Sequence, residues 1–370
     1  MPGSPKTVAL LALWVVGCMP PTPRLTRGQY GEGDRRGKGG YRYDVAADSG
    51  PSAETLFLVS FSGGGTRAAA FAYGVLEGLH DARLGDGRTL VDEIDAVSSV
   101  SGGSFAAAYL ALFGQTRFFA RFPDEVLHRK IERGFALRIL NPLDWPWLLS
   151  PRYGRGDLAA DYYDREIFEG KTFADLVGKR PFVVLNATDI ARGAQFSFIQ
   201  DHFDRLCADL SPVTIGRAVA ASSAFPIVFT PLTLENRPKS TCGYVAPPWV
   251  AEAEQGDFET TPVRWDLART WRSYEDASVR RYIHLSDGGL SDNIGLRSFE
   301  TAFRTGAWGL VGRINDPRLK RVVVIVVDAK PRAPSCLDTS AHPSSVFSVL
   351  DASATNPMEN YSSDTIEHFR

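Results

Sequence analysis

The chain reads as an α/β protein whose central sheet is mainly parallel, with helices packed against it. Two successive units of apolar run, glycine-rich loop and helix-like segment carry that reading. A third observation is Val322-Val-Val-Ile-Val-Val327, a β-branched run of the kind buried on both faces of a parallel sheet. The first unit is Leu56-Phe-Leu-Val-Ser-Phe61, then Ser62-Gly-Gly-Gly65, then small and apolar residues at helical spacing from Arg67 to Leu79. The second is Ile94-Asp-Ala-Val-Ser-Ser-Val100, Ser101-Gly-Gly103 and a helix-like stretch from Phe105 to Phe113. Strands are also predicted at Phe182-Val-Val-Leu-Asn186 and Tyr282-Ile-His-Leu285. One α/β domain is expected from residue 53 to residue 370, with a helix-like tail at its end.

The composition is that of a globular protein, 44% hydrophobic and 23% charged over 370 residues. A net charge of -2 offers no basic excess to neutralise phosphates, so nucleic acid is not an expected partner. Residues 1–18 read as a secretory signal, because the run from Val8 to Gly17 is too short to cross a bilayer. The end of that run, Val15-Val-Gly-Cys18, resembles a bacterial lipoprotein processing site, in which the thiol of Cys18 would be lipidated. Met19 follows it where an aspartate would retain the protein in the inner membrane, so a lipid-anchored place in the bacterial envelope, with the outer membrane preferred, is expected. Residues 19–52, rich in Pro, Gly and charge, are expected to form a flexible tether.

Apart from Cys18 there are Cys207, Cys242 and Cys336; one disulfide is open to an exported chain, with Cys207–Cys242 among the pairings. Neither a Cys-x-x-Cys pair nor closely spaced histidines occur, so no metal and no cofactor are expected. Two segments fit the alternating plan poorly. Residues 114–156 combine Phe118, Phe119, Phe122, Phe135, Trp145 and Trp147 with Pro123, Pro142 and Pro146, and residues 233–280 are rich in Pro, Trp and acidic groups. Each reads either as a cap or lipid-facing surface over a site, or as peripheral packing.

Three short motifs carry chemistry. Ser101, between a strand and a helix in Ser99-Val-Ser-Gly-Gly103, sits as the serine of a nucleophile elbow does, with Ser99 where glycine is usual. Ser104 is a rival in a looser frame, inside the following helix. In Gly63-Gly64-Gly65-Thr66-Arg67, successive glycines let backbone N–H groups converge beside a helix start, which suits an oxyanion or a phosphate. Neither nucleotide-binding glycine pattern is present in that loop. Asp287, in Ser286-Asp-Gly-Gly289, directly follows a strand, and its carboxylate is placed to act as a base. Strand ends line the ligand crevice of an open parallel sheet, so the three motifs are expected to meet at one edge.

With Ser62-Gly-Gly-Gly-Thr-Arg67, Ser99-Val-Ser-Gly-Gly103, Asp287-Gly-Gly289 and the intervening Ala221-Ser-Ser-Ala-Phe-Pro226 in this order, the chain resembles the patatin-like phospholipases. The resemblance implies a three-layer α/β/α patatin-like fold and lipid or phospholipid substrates. It implies a catalytic dyad of Ser101 as nucleophile and Asp287 as general base. Gly63, Gly64 and Gly65 would supply oxyanion N–H groups, and Arg67 would occupy a basic substrate-binding position. Two other readings stay open: a Ser-His-Asp esterase drawing on His342 or His368, and a lipid-binding lipoprotein without activity. Acyl transfer to an alcohol other than water shares the acyl-enzyme and is not separable from hydrolysis here.

Overall fold

The structure, a computed structural model, describes residues 39–43, 52–129, 131, 153–226, 228–256, 259, 261–306, 310–330 and 346–369. The expected signal and Cys18, most of the tether, His342, and Phe135, Trp145 and Trp147 lie outside them. Strand β1 (Thr55–Phe61) leads into helix α1 (Gly65–Asp81), and β2 (Ala96–Val100) into α2 (Gly102–Phe122). After α3 (Arg155–Glu166) come β3 (Phe182–Asp189), β4 (Ala194–Ser197), α4 (Gln200–Arg205), α5 (Ile215–Ser222) and β5 (Leu232–Glu235). Helices α6 (Pro248–Gln255) and α7 (Pro262–Ser273) precede β6 (Tyr282–Asp287), α8 (Arg297–Thr305), α9 (Leu310–Ile314), β7 (Arg321–Val327) and α10 (Val346–Phe369).

The sheet runs in the order β5-β6-β3-β2-β1-β7, with β4 paired to β3 off this path. Strands β7, β1, β2 and β3 are parallel. β7 ends the strand order with only Val327 buried, so the Val322–Val327 run is not buried on both faces as its β-branched composition predicts; only β1 is paired beside it. All of β3 and nearly all of β1 are buried, and each fully buried Val, Leu or Phe contributes about 1.5–3 kcal/mol. Registers Phe61↔Ser99, Phe61↔Val327 and Val100↔Asn186 bring the carboxyl ends of these strands to one level.

The strand that carries Asp287 is not one of the parallel set. β6 runs antiparallel to β3, overlaps only its last three residues, and ends with Asp287 opposite Ala187. It therefore descends toward the carboxyl edge from beyond it, and delivers its last residue to the level where β2 ends. The short strands β4 and β5 escape a reading based on apolar runs, because each has only four residues. Helix α2 also outruns its expected end at Phe113, continuing to Phe122 past a non-helical Gly114.

Part of the expected tether is docked instead. Tyr41 and Tyr43 are buried, and Tyr41 stacks on Phe182 with ring centroids 4.7 Å apart. The Tyr41 hydroxyl donates to the Val183 carbonyl at 3.0 Å and accepts the Val183 N–H at 2.7 Å, closing a stretch of the β3 edge that β4 does not reach. The segment 233–280 forms the α6–α7 hairpin with a small core of its own around Trp249, Val250 and Trp271. A disulfide between Cys207 and Cys242, 35 residues apart, ties the start of that segment to the end of α4. In 114–156, Phe118 and Phe122 enter the main core.

Candidate active site

Ser101 ends β2 and opens α2. Its φ of 49° and ψ of -119° lie where non-glycine residues rarely sit, a strain of about 1–3 kcal/mol. The turn is held from outside: the Ser101 N–H donates to Ser222 Oγ at 2.9 Å, and Ser222 Oγ donates to the Asn186 carbonyl at 2.6 Å. Close approach also demands glycine next in sequence, since a Cβ on Gly102 would lie 2.0 Å from the Gly65 carbonyl oxygen. Ser99 is tolerated because its side chain leaves the turn and donates to the Val184 carbonyl at 3.3 Å. Ser104 is turned inward, with its hydroxyl 3.1 Å from Ser99 Oγ and 2.9 Å from Ser222 Oγ, and it does not line the pocket.

The Ser101 hydroxyl, on a residue 8% exposed, donates to Asp287 Oδ2 at 2.9 Å. Asp287 is 3% exposed, and its other oxygen accepts the Gly289 N–H at 2.8 Å. Burial pushes this carboxyl up to about 6, against smaller downward pulls from the Gly289 N–H and the Ser101 hydroxyl. The Ala224 carbonyl accepts both the Asp287 N–H and the Ser286 hydroxyl. The segment Ala221–Pro226 thus braces the serine through Ser222 and the aspartate through Ala224. Its motif is visible in the sequence, but its bracing role is not.

The glycine loop crosses the mouth of the same site. Gly64 and Gly65 have φ of 129° and 60°, conformations that a side chain would strain. Among the described residues neither of their N–H groups has a partner, and both glycines line the pocket with Ser101. Gly63 departs from the expectation: its N–H donates to the Asn293 carbonyl at 2.8 Å, so it is already engaged. Arg67 lies at the rim, where its Nε donates to the Ala329 carbonyl at 2.9 Å and anchors the loop to the end of β7.

These groups share a cavity of about 410 Å³. Phe105, Val126, Ile131, Tyr163, Phe225 and Phe229 form its apolar wall, and Arg67, Lys330, Thr355 and Glu359 its polar mouth. Lys330 and Glu359 face each other at 3.6 Å. Helix α10 closes one side through Thr355, Met358 and Glu359, and Asn293 adds a side chain beside the loop. Neither α10 nor Asn293 was legible as part of a site, since no local motif distinguishes them. From 114–156, Val126 and Ile131 line the cavity; its lining includes no described residue of 233–280. No histidine lines the cavity among the described residues, and no group of His, Cys, Asp and Glu there is arranged to hold a metal ion.

No curated protein matches the chain. A family model described as patatin-like phospholipase matches residues 59–299, from the middle of β1 through the glycine loop, the Ser101 turn and Asp287 into α8. With that match spanning well over half of its length, the chain belongs to the patatin-like phospholipase family.

Proposed function

We propose that this protein is a serine lipid acyl hydrolase that works through an acyl-enzyme with Ser101 as nucleophile and Asp287 as general base. Family membership supports the lipid acyl hydrolase class, and the observation that carries the finer reading is the 2.9 Å contact from Ser101 Oγ to Asp287 Oδ2 inside the cavity. A carboxylate of ordinary pKa is a weak base toward a hydroxyl; burial makes Asp287 a stronger one, and the start of α2 favours negative charge on Ser101 Oγ.

In the proposed reaction Ser101 Oγ attacks the ester carbonyl while its proton passes to Asp287. The Gly64 and Gly65 N–H groups are positioned to receive the developing oxyanion. Collapse expels the alcohol, which takes the proton from Asp287 and leaves acyl-Ser101. Water then attacks, its proton going to Asp287, and release of the fatty acid returns that proton to Ser101. The apolar wall suits an acyl chain, and Arg67 at the rim suits an anionic head group.

The same proposal includes lipidation at Cys18 and an anchored place in the bacterial envelope, with the outer membrane preferred. The Cys207–Cys242 disulfide supports export, because such bonds persist in oxidising compartments. The deciding test is reaction with a fluorophosphonate in mixed micelles, followed by mass spectrometry. An adduct on Ser101 that is lost in Asp287→Asn is expected. No adduct on folded protein would turn the reading to a lipid-binding protein without activity.

A further inference from the structure

Arg205, the last residue of α4, is 2% exposed and carries a charge it cannot shed. Its guanidinium carbon stands 3.0 Å from the centroid of the Trp271 ring, yet no carboxylate pairs with it among the described residues. Its Nε and Nη2 are buried without hydrogen-bond partners. The acids on its own helix are engaged elsewhere: Asp204 and Asp201 face Arg42 at 2.6 and 3.3 Å. Tyr274, also close, donates its hydroxyl to Asp189. A ring face compensates a buried cation only in part, so this guanidinium lacks the anion that its burial calls for.

The surroundings present further donors. Arg205 lines a cavity of about 50 Å³ with Gln195 and His202. Gln195 Nε2 is buried and unpartnered. His202 Nδ1 accepts the Ser197 N–H, which leaves the ring proton on Nε2 as a donor. This cavity shares Gln195, Leu267, Thr270 and Thr301 with an outer cleft of about 460 Å³. Arg192, Arg264, Arg297 and Arg304 line that cleft, and Arg264 Nε is again buried without a partner. Glu300, Asp266 and Asp364 line it too; Glu300 pairs with Arg304 at 2.9 Å and Glu252, outside the lining, with Arg264 at 3.2 Å, so five arginines meet four carboxylates with Glu252 counted. Clustered donors with an excess of guanidinium favour a phosphate.

We propose that the cleft between β4, α7, α8 and α10 is a second ligand site, separate from the Ser101 cavity, that binds a phosphate group against Arg205. Helix α10 borders both cavities, with Tyr361 and Thr365 at the cleft and Met358 and Glu359 at the Ser101 pocket, so a ligand here touches the element that closes the other site.

The test is thermal unfolding of the full chain with inorganic phosphate or micelle-free dihexanoyl phosphatidic acid, against chloride at equal ionic strength. At least one of the two is expected to raise the unfolding temperature by several degrees. Arg205→Met should lose that response. Arg264→Glu, at the partly exposed mouth, should weaken it at least tenfold in apparent affinity and keeps the test available if Arg205→Met does not fold. A response to inorganic phosphate identifies the free ion as sufficient; a response to the lipid alone identifies a head group. No phosphate-specific stabilisation of the wild type would overturn the proposal. So would a response unchanged in the variants, which would assign binding to Arg67 and Lys330 at the other cavity. Neither result bears on fluorophosphonate labelling of Ser101, so the two proposals fail separately.

Discussion

Ser104 Oγ lies 3.1 Å from Ser99 Oγ, on the buried side of the turn that presents Ser101 to the cavity. The pair explains how a serine occupies a position where elbows usually carry glycine: its side chain joins a hydroxyl cluster beneath the turn and stays clear of it. The cluster includes Ser222, which holds the Ser101 N–H, and rests on Asn186, whose Nδ2 donates to Ser98 Oγ at 2.9 Å and to the Ser99 carbonyl at 3.1 Å. Ser104→Ala should therefore keep fluorophosphonate labelling at Ser101 while lowering stability by about 1 kcal/mol, the usual net worth of one hydrogen bond. Denaturant unfolding and adduct mapping together check this, and loss of the adduct at unchanged stability would make Ser104 the nucleophile.

A second expectation concerns contact between the two loops. Gly102→Ala drives a methyl group into the Gly65 carbonyl, so one of the loops must shift. Displacing the Gly64 and Gly65 N–H groups should cut kcat at least a hundredfold, the scale of losing one oxyanion donor. Gly74→Ala, on α1 with nothing within 4 Å of the added Cβ, is the control. It should leave kcat unchanged and raise stability by up to about 1 kcal/mol through helix propensity.

The dyad and a histidine-dependent triad part over His342 and His368, which follow Asp287 in the chain. Replacing both with alanine should leave kcat/KM within about twofold, well short of the hundredfold or more that a general base contributes. A steady-state comparison on a soluble ester decides it, and a loss beyond a hundredfold would restore the triad.

Strands β1 and β2, the order of the three motifs and their meeting at one edge were legible because each motif is a local pattern, an apolar run leading into glycine, whereas β3 and β7 were legible as apolar runs alone. The direction of β6 was not. An antiparallel approach to β3 reads the same in sequence as a parallel one, and only the pairing Asp287↔Ala187 distinguishes them. The partner of the Gly63 N–H was hidden for a related reason, since Asn293 lies 230 residues away and carries no motif of its own. Composition pointed to a tether through Gly39 and Gly40, yet Tyr41 and Tyr43, with Arg42 between them paired to Asp204 and Asp201, dock the chain. Composition measures average burial, whereas docking turned on these particular contacts.

The buried carboxyl of Asp287 couples activity to stability in opposite directions. Its pKa of about 6 in the folded protein exceeds the ordinary value of 3.8. Between these two pH values the folded state holds more proton than the unfolded one, so this group's contribution is full below 3.8 and is lost as pH rises through 6. Above that, ionised Asp287 costs roughly 2–3 kcal/mol of stability relative to a neutral side chain of the same shape. The base must be ionised to accept the Ser101 proton, so kcat/KM should rise with unit slope up to about pH 6 and then level. Asp287→Asn separates the two effects. At pH 8 it should abolish turnover while making the protein more stable than the wild type, and at pH 3.5 the stability gap should close. Paired unfolding curves at the two pH values, with the pH–rate profile of the wild type, check both halves. A variant less stable than wild type at pH 8 would mean that the hydrogen bonds from Ser101 and Gly289 outweigh the burial of the charge, and the rate profile should then break well below pH 6.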